Sequence, residues 1–181
     1  MSPSEPDELL LQKARRIRLL ALDVDGILTD GRLYYDAAGG ESKAFSTRDG
    51  FGLKAVRRFG IELALITGRT SAMVERRARE LAIESVFQGS DDKLEVLNRL
   101  LGETGLDSES VCYAGDDWPD LPVLARVGLA VTAADAHPEV RRRVHWVTRA
   151  KGGHGAVREI CDLLLHAQGH DQNLLSELLD R

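Results

Sequence analysis

The chain has 181 residues, 43% of them apolar and 29% charged, with a formal net charge of −5. That is the composition of a globular domain able to bury its own core, and its acidic balance argues against nucleic acid as the main partner. No run of about 18 apolar residues is present, which excludes a helical membrane span, and the polar start (Ser2, Pro3, Ser4, Glu5) does not have the pattern of a secretory leader, so a cytoplasmic location is expected.

Residues 1–7 carry two prolines and are expected to be loose. Residues 8–16 have a short helical pattern through Leu9, Leu10 and Ala14. From Ile17 to Asp23 the chain is nearly continuously apolar, the mark of a strand buried on both faces, as in a parallel sheet. Similar short runs recur at 61–66, 85–87, 111–114, 127–131 and 144–147. Segments of helical period lie between or after them, at 50–59, 71–81, 92–101, 119–125, 138–142 and 155–167. Strands alternating with helices predict an α/β fold with a doubly wound, mostly parallel, Rossmann-like sheet. One segment breaks the rhythm. Residues 32–46 carry aromatic positions on either side of Asp36-Ala37-Ala38-Gly39-Gly40, a turn signal, and predict a projecting β-hairpin. The expected organisation is an N-terminal extension (1–16), a single domain (17–168) and a C-terminal tail (169–181) of helical period. Cys112 and Cys161 sit inside apolar stretches without metal or redox spacing, and are read as small buried hydrophobes.

The chemistry-bearing motifs fall at strand ends. Asp23-Val24-Asp25-Gly26 closes the first strand, where open α/β sheets bind ligands. Residues two apart in an extended chain share a side, so Asp23 and Asp25 are candidates to face one site. Two carboxylates that close need a cation or a shared proton, and Mg²⁺ would screen both them and an incoming phosphate. An acidic turn that caps its own backbone is the alternative; a calcium loop is excluded because its register fails beyond Gly26. Thr67-Gly68-Arg69 follows the strand at 61–66 and reads either as a phosphate cradle opening a helix or as a plain helix N-cap. Lys93 stands at a helix start, where a cation opposes the helix dipole unless an anion meets it. Gly115-Asp116-Asp117-Trp118-Pro119-Asp120 places three carboxylates at another strand end. Asp117 or Trp118 suits a cap there, which leaves Asp116 for metal.

Together, in this order, these motifs resemble the haloacid dehalogenase superfamily of phosphatases. The resemblance implies that Asp23 attacks phosphorus and becomes an aspartyl phosphate, and that Asp25 protonates the leaving alcohol and then activates water. It also implies that Mg²⁺ is held by Asp23, the backbone carbonyl of Asp25 and Asp116, while Thr67 and Lys93 hold the phosphoryl oxygens. Residues 45–52 (FSTRDGFG), 87–89 (FQG), 133–138 (AADAHP) and 152–159 (GGHGAVRE) bring the likeness closer, to the 3-deoxy-D-manno-octulosonate 8-phosphate phosphatase family. That family acts in lipopolysaccharide precursor synthesis. The closer resemblance implies a capless domain, a homotetramer built partly by the hairpin with active sites near subunit interfaces, and a sugar-acid phosphate as substrate. Arginine suits the acid's carboxylate. Arg48, Arg69 and Arg158 are the candidates, with Gly68 beside them. Related phosphatases for nine-carbon sialic-type acids tend to carry Glu after Thr-Gly, so Arg69 favours the eight-carbon acid. His137 and His154 are read as structural or loop residues. A phosphatase for another sugar acid and a non-catalytic oligomerising module of the same fold remain the alternatives; the module gives no reason to keep a repelling carboxylate pair.

Overall fold

The computed structural model describes residues 7–180; the expectation for residues 1–6 lies outside them. Helix α1 (Glu8–Arg15) is started by Asp7, whose carboxylate accepts the Leu10 N–H at 2.8 Å. Strand β1 (Leu19–Leu22) follows, then a short hairpin of β2 (Tyr34–Tyr35) and β3 (Glu41–Ser42). Next come α2 (Thr47–Arg58), β4 (Glu62–Ile66), α3 (Ala72–Leu81), β5 (Ser85–Phe87), α4 (Lys93–Thr104) and β6 (Val111–Ala114). The remainder is α5 (Leu121–Leu124), β7 (Leu129–Thr132), α6 (Pro138–Arg141), β8 (Trp146–Val147), α7 (Ala156–Ala167) and α8 (Asp171–Leu179).

Six strands form one sheet in the order β5-β4-β1-β6-β7-β8, with every neighbouring pair parallel. The continuous apolarity of β1 has the expected cause. Leu20 and Leu22 pack into the layer containing α1, α2, α3 and α7, while Leu19 and Ala21 pack into the layer containing α4 and α5. After β1 the chain builds outward through β4 and β5, then returns to the other side of β1 with β6. The strand order therefore reverses between β1 and β6, where a crevice opens at the carboxyl edge of such sheets.

Two close approaches depend on missing side chains. A Cβ on Gly52 would stand 2.9 Å from the Cys161 Cβ, so glycine lets α2 lie directly on α7. A Cβ on Gly152 would stand 1.9 Å from the Gly26 carbonyl oxygen. The glycine-rich loop before α7 thus presses backbone to backbone on the loop after β1. The hairpin projects as the turn signal predicts: Asp36 Oδ1 accepts the N–H groups of Ala38 and Gly40, both at 2.8 Å.

The structure moves several element edges by one to three residues, and it changes one assignment that matters. Thr67-Gly68-Arg69 does not open a helix, because α3 starts only at Ala72 with Ser71 in the N-cap position. The segment is a strand-exit loop, which removes both the N-cap reading of Thr67 and a phosphate grip by a helix terminus. Both cysteines are free and buried, as expected. No helix among the described residues is long and apolar enough to cross a membrane.

Since Leu20 is fully buried at the centre of the sheet, Leu20→Ala is expected to lower unfolding free energy by about 2–5 kcal/mol. Urea denaturation followed by circular dichroism measures this; a loss well under about 1 kcal/mol would contradict the double-sided burial of β1.

Candidate active site

Four strand exits meet at the crevice. A cavity of about 430 Å³ is lined by Asp23, Asp25 and Gly31 after β1, and by Thr67, Gly68 and Arg69 after β4. Ser90, Asp91 and Lys93 reach it from the β5–α4 connection, and Asp116, Asp117, Pro119 and Asp120 from the loop after β6.

Local backbone geometry puts them there. Asp23 is extended (φ −67°, ψ 163°), and its Oδ1 accepts the Val24 N–H at 2.7 Å. Asp25 remains extended (φ −75°, ψ 122°), and Gly26 then turns the chain at φ 87°, a left-handed conformation that favours glycine. Gly26 is also the only residue type that fits: a Cβ would stand 2.0 Å from the Asp116 Oδ2.

Electrostatics dominate the floor of the site. Asp23, Asp116 and Asp120 bring carboxylate oxygens within 4.8 Å of one another. Lys93, with its side chain only 6% exposed, reaches Asp23 Oδ2 at 2.8 Å and Asp120 Oδ1 at 2.7 Å. The helix-start lysine thus meets two anions. Burial first, then repulsion from Asp120, pushes Asp23 up to about 7 despite Lys93. Burial, then Asp23, Asp120 and Asp117, pushes Asp116 up to about 7. Burial would lower Lys93, but the facing carboxylates outweigh it and hold the ammonium above its ordinary range. Three acids against one lysine leave a buried negative surplus that a divalent cation fits.

Asp120 differs from the other two. Its Oδ1 accepts from Lys93 and from the Tyr113 hydroxyl, each at 2.7 Å. Its Oδ2 accepts the N–H groups of Asp116 at 2.9 Å and Asp117 at 3.2 Å. Its lone pairs are spent on shaping the loop and aiming Lys93; Asp23 takes only the Val24 N–H and the Lys93 ammonium, and no hydrogen bond among the described residues falls on the Asp116 carboxylate. The sequence cluster contained Asp120, but its position within the cluster did not distinguish a ligand from a scaffold.

The Asp25 side chain turns away from this acid cluster. Its Oδ1 receives the Lys43 ammonium at 2.5 Å and the Thr29 hydroxyl at 3.4 Å. Its Oδ2 lies 3.7 Å from the Arg69 Nε. Arg69 also donates to the Tyr35 hydroxyl and to Glu41, both at 3.3 Å, so the hairpin holds it over the cavity. Lys43 and Glu41 carried no sequence signal, because their partners lie far along the chain.

Asp23, Asp25, Thr67, Gly68, Arg69, Lys93 and Asp116 are therefore brought together. Arg48 and Arg158 are not, and within one chain they do not line this cavity. Arg48 is exposed in the first turn of α2. Arg158 is bonded to Asp162 at 2.7 Å and stacks over the Phe51 ring at 5.1 Å. Its backbone N–H is taken by Asp49. His137 and His154 also stay out of the cavity lining; His137 pairs with the Trp118 indole N–H at 3.0 Å, a structural contact as expected.

A parallel sheet with an aspartate pair, a lysine and a further acid converging at its carboxyl edge defines a haloacid dehalogenase-like hydrolase, and the family model of that description matches residues 85–160. The 3-deoxy-D-manno-octulosonate 8-phosphate phosphatase of Yersinia pestis is 48% identical over 159 residues, covering 88% of this chain and 85% of that protein. Its counterpart from Escherichia coli K12 is 49% identical over 160 residues, with 88% and 85% covered. The crystal structure of the Moraxella catarrhalis enzyme in complex with magnesium, phosphate and KDO superposes with a TM-score of 0.92 at 44% identity, covering 93% of this chain and 97% of that one. The chain belongs to the 3-deoxy-D-manno-octulosonate 8-phosphate phosphatase family of haloacid dehalogenase-like hydrolases.

The raised pKa values of Asp23 and Asp116 give a linked stability. Groups whose folded pKa lies above the unfolded value of about 4 favour folding most below that value and lose the benefit as pH rises towards 7. Protein stripped of metal with EDTA is therefore expected to melt at progressively lower temperature between pH 5 and pH 8, and Mg²⁺ should abolish most of that slope. A flat pH profile in EDTA would contradict the crowding of these acids.

Proposed function

We propose that this enzyme hydrolyses 3-deoxy-D-manno-octulosonate 8-phosphate to the free sugar acid and phosphate, with Asp23 as nucleophile. The single observation that supports this most strongly is the joint aim of Asp23, Lys93 and Asp116 at one buried point beside Asp25.

The Asp23 carboxylate oxygen attacks phosphorus, and the bond from phosphorus to the sugar oxygen breaks. Asp25 delivers a proton to the departing alkoxide. The resulting aspartyl phosphate is then hydrolysed by a water that Asp25 deprotonates, which returns Asp23 and releases phosphate. A carboxylate nucleophile divides one hard displacement into two easier ones. Lys93 neutralises charge that spreads over the equatorial phosphoryl oxygens. Its grip by Asp120 fixes the ammonium in advance, so little reorganisation is needed at the moment of reaction. The Thr67 hydroxyl, buried at the strand exit, and the Gly68 backbone complete the phosphoryl pocket.

Asp23, Asp116 and the Asp25 carbonyl are the donors assigned to Mg²⁺, an oxygen set suited to a hard cation. When bound, the ion supplies charge neutralisation and Lewis acidity at the phosphoryl group.

Arg69, beside Asp25 and facing the cavity, is assigned to the substrate carboxylate. Arg48 and Arg158 lie outside the chain's own cavity, so any contact they make with substrate would come across a subunit boundary. Leu33, Tyr34, Tyr35 and Phe51 expose large apolar side chains on and near the hairpin, which supports a homotetramer in which copies close one another's sites. A cytoplasmic location suits an enzyme of small phosphorylated precursors.

Asp23→Asn is expected to abolish phosphate release while leaving the circular dichroism spectrum unchanged; near-normal activity would end the mechanism. Given a panel of eight- and nine-carbon sugar-acid phosphates, the wild type should prefer the eight-carbon acid, and Arg69→Ala should raise its KM more than it lowers kcat. Activity should vanish in EDTA and return with Mg²⁺. Light scattering should give a tetramer for the wild type and a smaller species for Leu33→Asp; a monomeric wild type would remove the oligomer from the proposal.

A further inference from the structure

The geometry points to Lys43 as a positioning residue that fixes the Asp25 carboxylate for proton transfer to the leaving group. This rests on the phosphatase reading above and adds to it a residue contributed by the hairpin.

The Lys43 side chain is 1% exposed and its Nζ stands 2.5 Å from Asp25 Oδ1, with Glu41 at 3.5 Å. A buried lysine is costly, and an apolar side chain of similar length would anchor a hairpin as well or better. Its placement becomes intelligible through its partner. Oδ1 of Asp25 is held by Lys43 and by the Thr29 hydroxyl at 3.4 Å, which fixes the rotation of the carboxylate. Oδ2 is left towards the cavity, 3.7 Å from Arg69. Without Lys43 the carboxylate torsion is broad and roughly two-fold, and only part of that range would present an oxygen to the leaving group.

The hairpin is built to hold that grip. Its turn is closed on both sides by Asp36, which accepts from Ala38 and Gly40, and the Asp36 N–H donates to the Gly40 carbonyl at 3.0 Å. Strand register pairs Tyr34 with Ser42, immediately before Lys43. Glu41 then bridges Lys43 and Arg69, tying both cations to the same strand. In the first half-reaction the Asp23–phosphorus bond forms, the bond from phosphorus to the leaving oxygen breaks, and the Asp25 proton passes to that oxygen. Lys43 touches none of the reacting atoms and acts only through Asp25.

The test compares leaving groups in single-turnover kinetics of the Mg²⁺-loaded enzyme. The probes are 3-deoxy-D-manno-octulosonate 8-phosphate and glycerol 2-phosphate, whose alkoxides need a proton, and p-nitrophenyl phosphate, whose phenolate does not. Lys43→Met should slow phosphoryl transfer from the alkyl esters by about 10²-fold, with KM little changed, yet leave the nitrophenolate burst close to wild type. Lys43→Arg, which keeps the charge, should recover part of the loss. Lys43→Gln, neutral and polar, carries the same comparison should the methionine variant lose its folded circular dichroism signal. An equal loss on alkyl and aryl esters, or no loss on either, would overturn the inference. A wild type that hydrolyses glycerol 2-phosphate but no sugar-acid phosphate would overturn the substrate reading alone, and the leaving-group comparison would still decide the role of Lys43.

Discussion

The architecture turns on a charge imbalance held out of water. Asp23, Asp116 and Asp120 share a few ångströms of buried space with one ammonium, that of Lys93. Like charges at that separation cannot all ionise without help, so protons or a divalent cation must complete the set. The fold is the device that keeps this incompatibility in place. The exits of three strands of the parallel sheet, β1, β5 and β6, carry these charges and hold them together.

The surroundings show how finely the crowding is enforced. Gly26 is pressed from one side by the Asp116 carboxylate and from the other by Gly152, and a Cβ on either glycine would collide with an atom of the site or its loop. The glycine-rich segment before α7 is thus a buttress for the loop after β1. Asp120 performs the matching task on the other side: it takes two backbone N–H groups, a tyrosine hydroxyl and the lysine, and turns a flexible acidic loop into a fixed one. Such support distinguishes a functional acid cluster from a merely acidic surface.

A second layer of charge lies above the first. The hairpin places Tyr35, Glu41 and Lys43 against Arg69 and Asp25. The sheet floor carries Asp23, Lys93 and Asp116, while the hairpin carries the groups that hold Arg69 and Asp25. The two layers meet at Asp25, which follows Asp23 by two residues and gives its carboxylate to Lys43 of the hairpin.

The sequence by itself determined the layered α/β fold and the strand exits at which the candidate site residues gather. The reason is that strand burial writes a local apolar pattern, and Asp23, Asp25, Thr67, Lys93 and Asp116 each follow or adjoin such a pattern. Tertiary structure alone decided three things. It separated Asp120 the scaffold from Asp116 the candidate ligand, because equal acids in one loop differ only in which donors surround them. It moved Arg48 and Arg158 off the cavity, since a helix phase near the surface does not say which neighbour an arginine meets. It brought Lys43 to Asp25 across 18 positions of chain, a contact set by how a hairpin folds back on its own strand, which no local periodicity records.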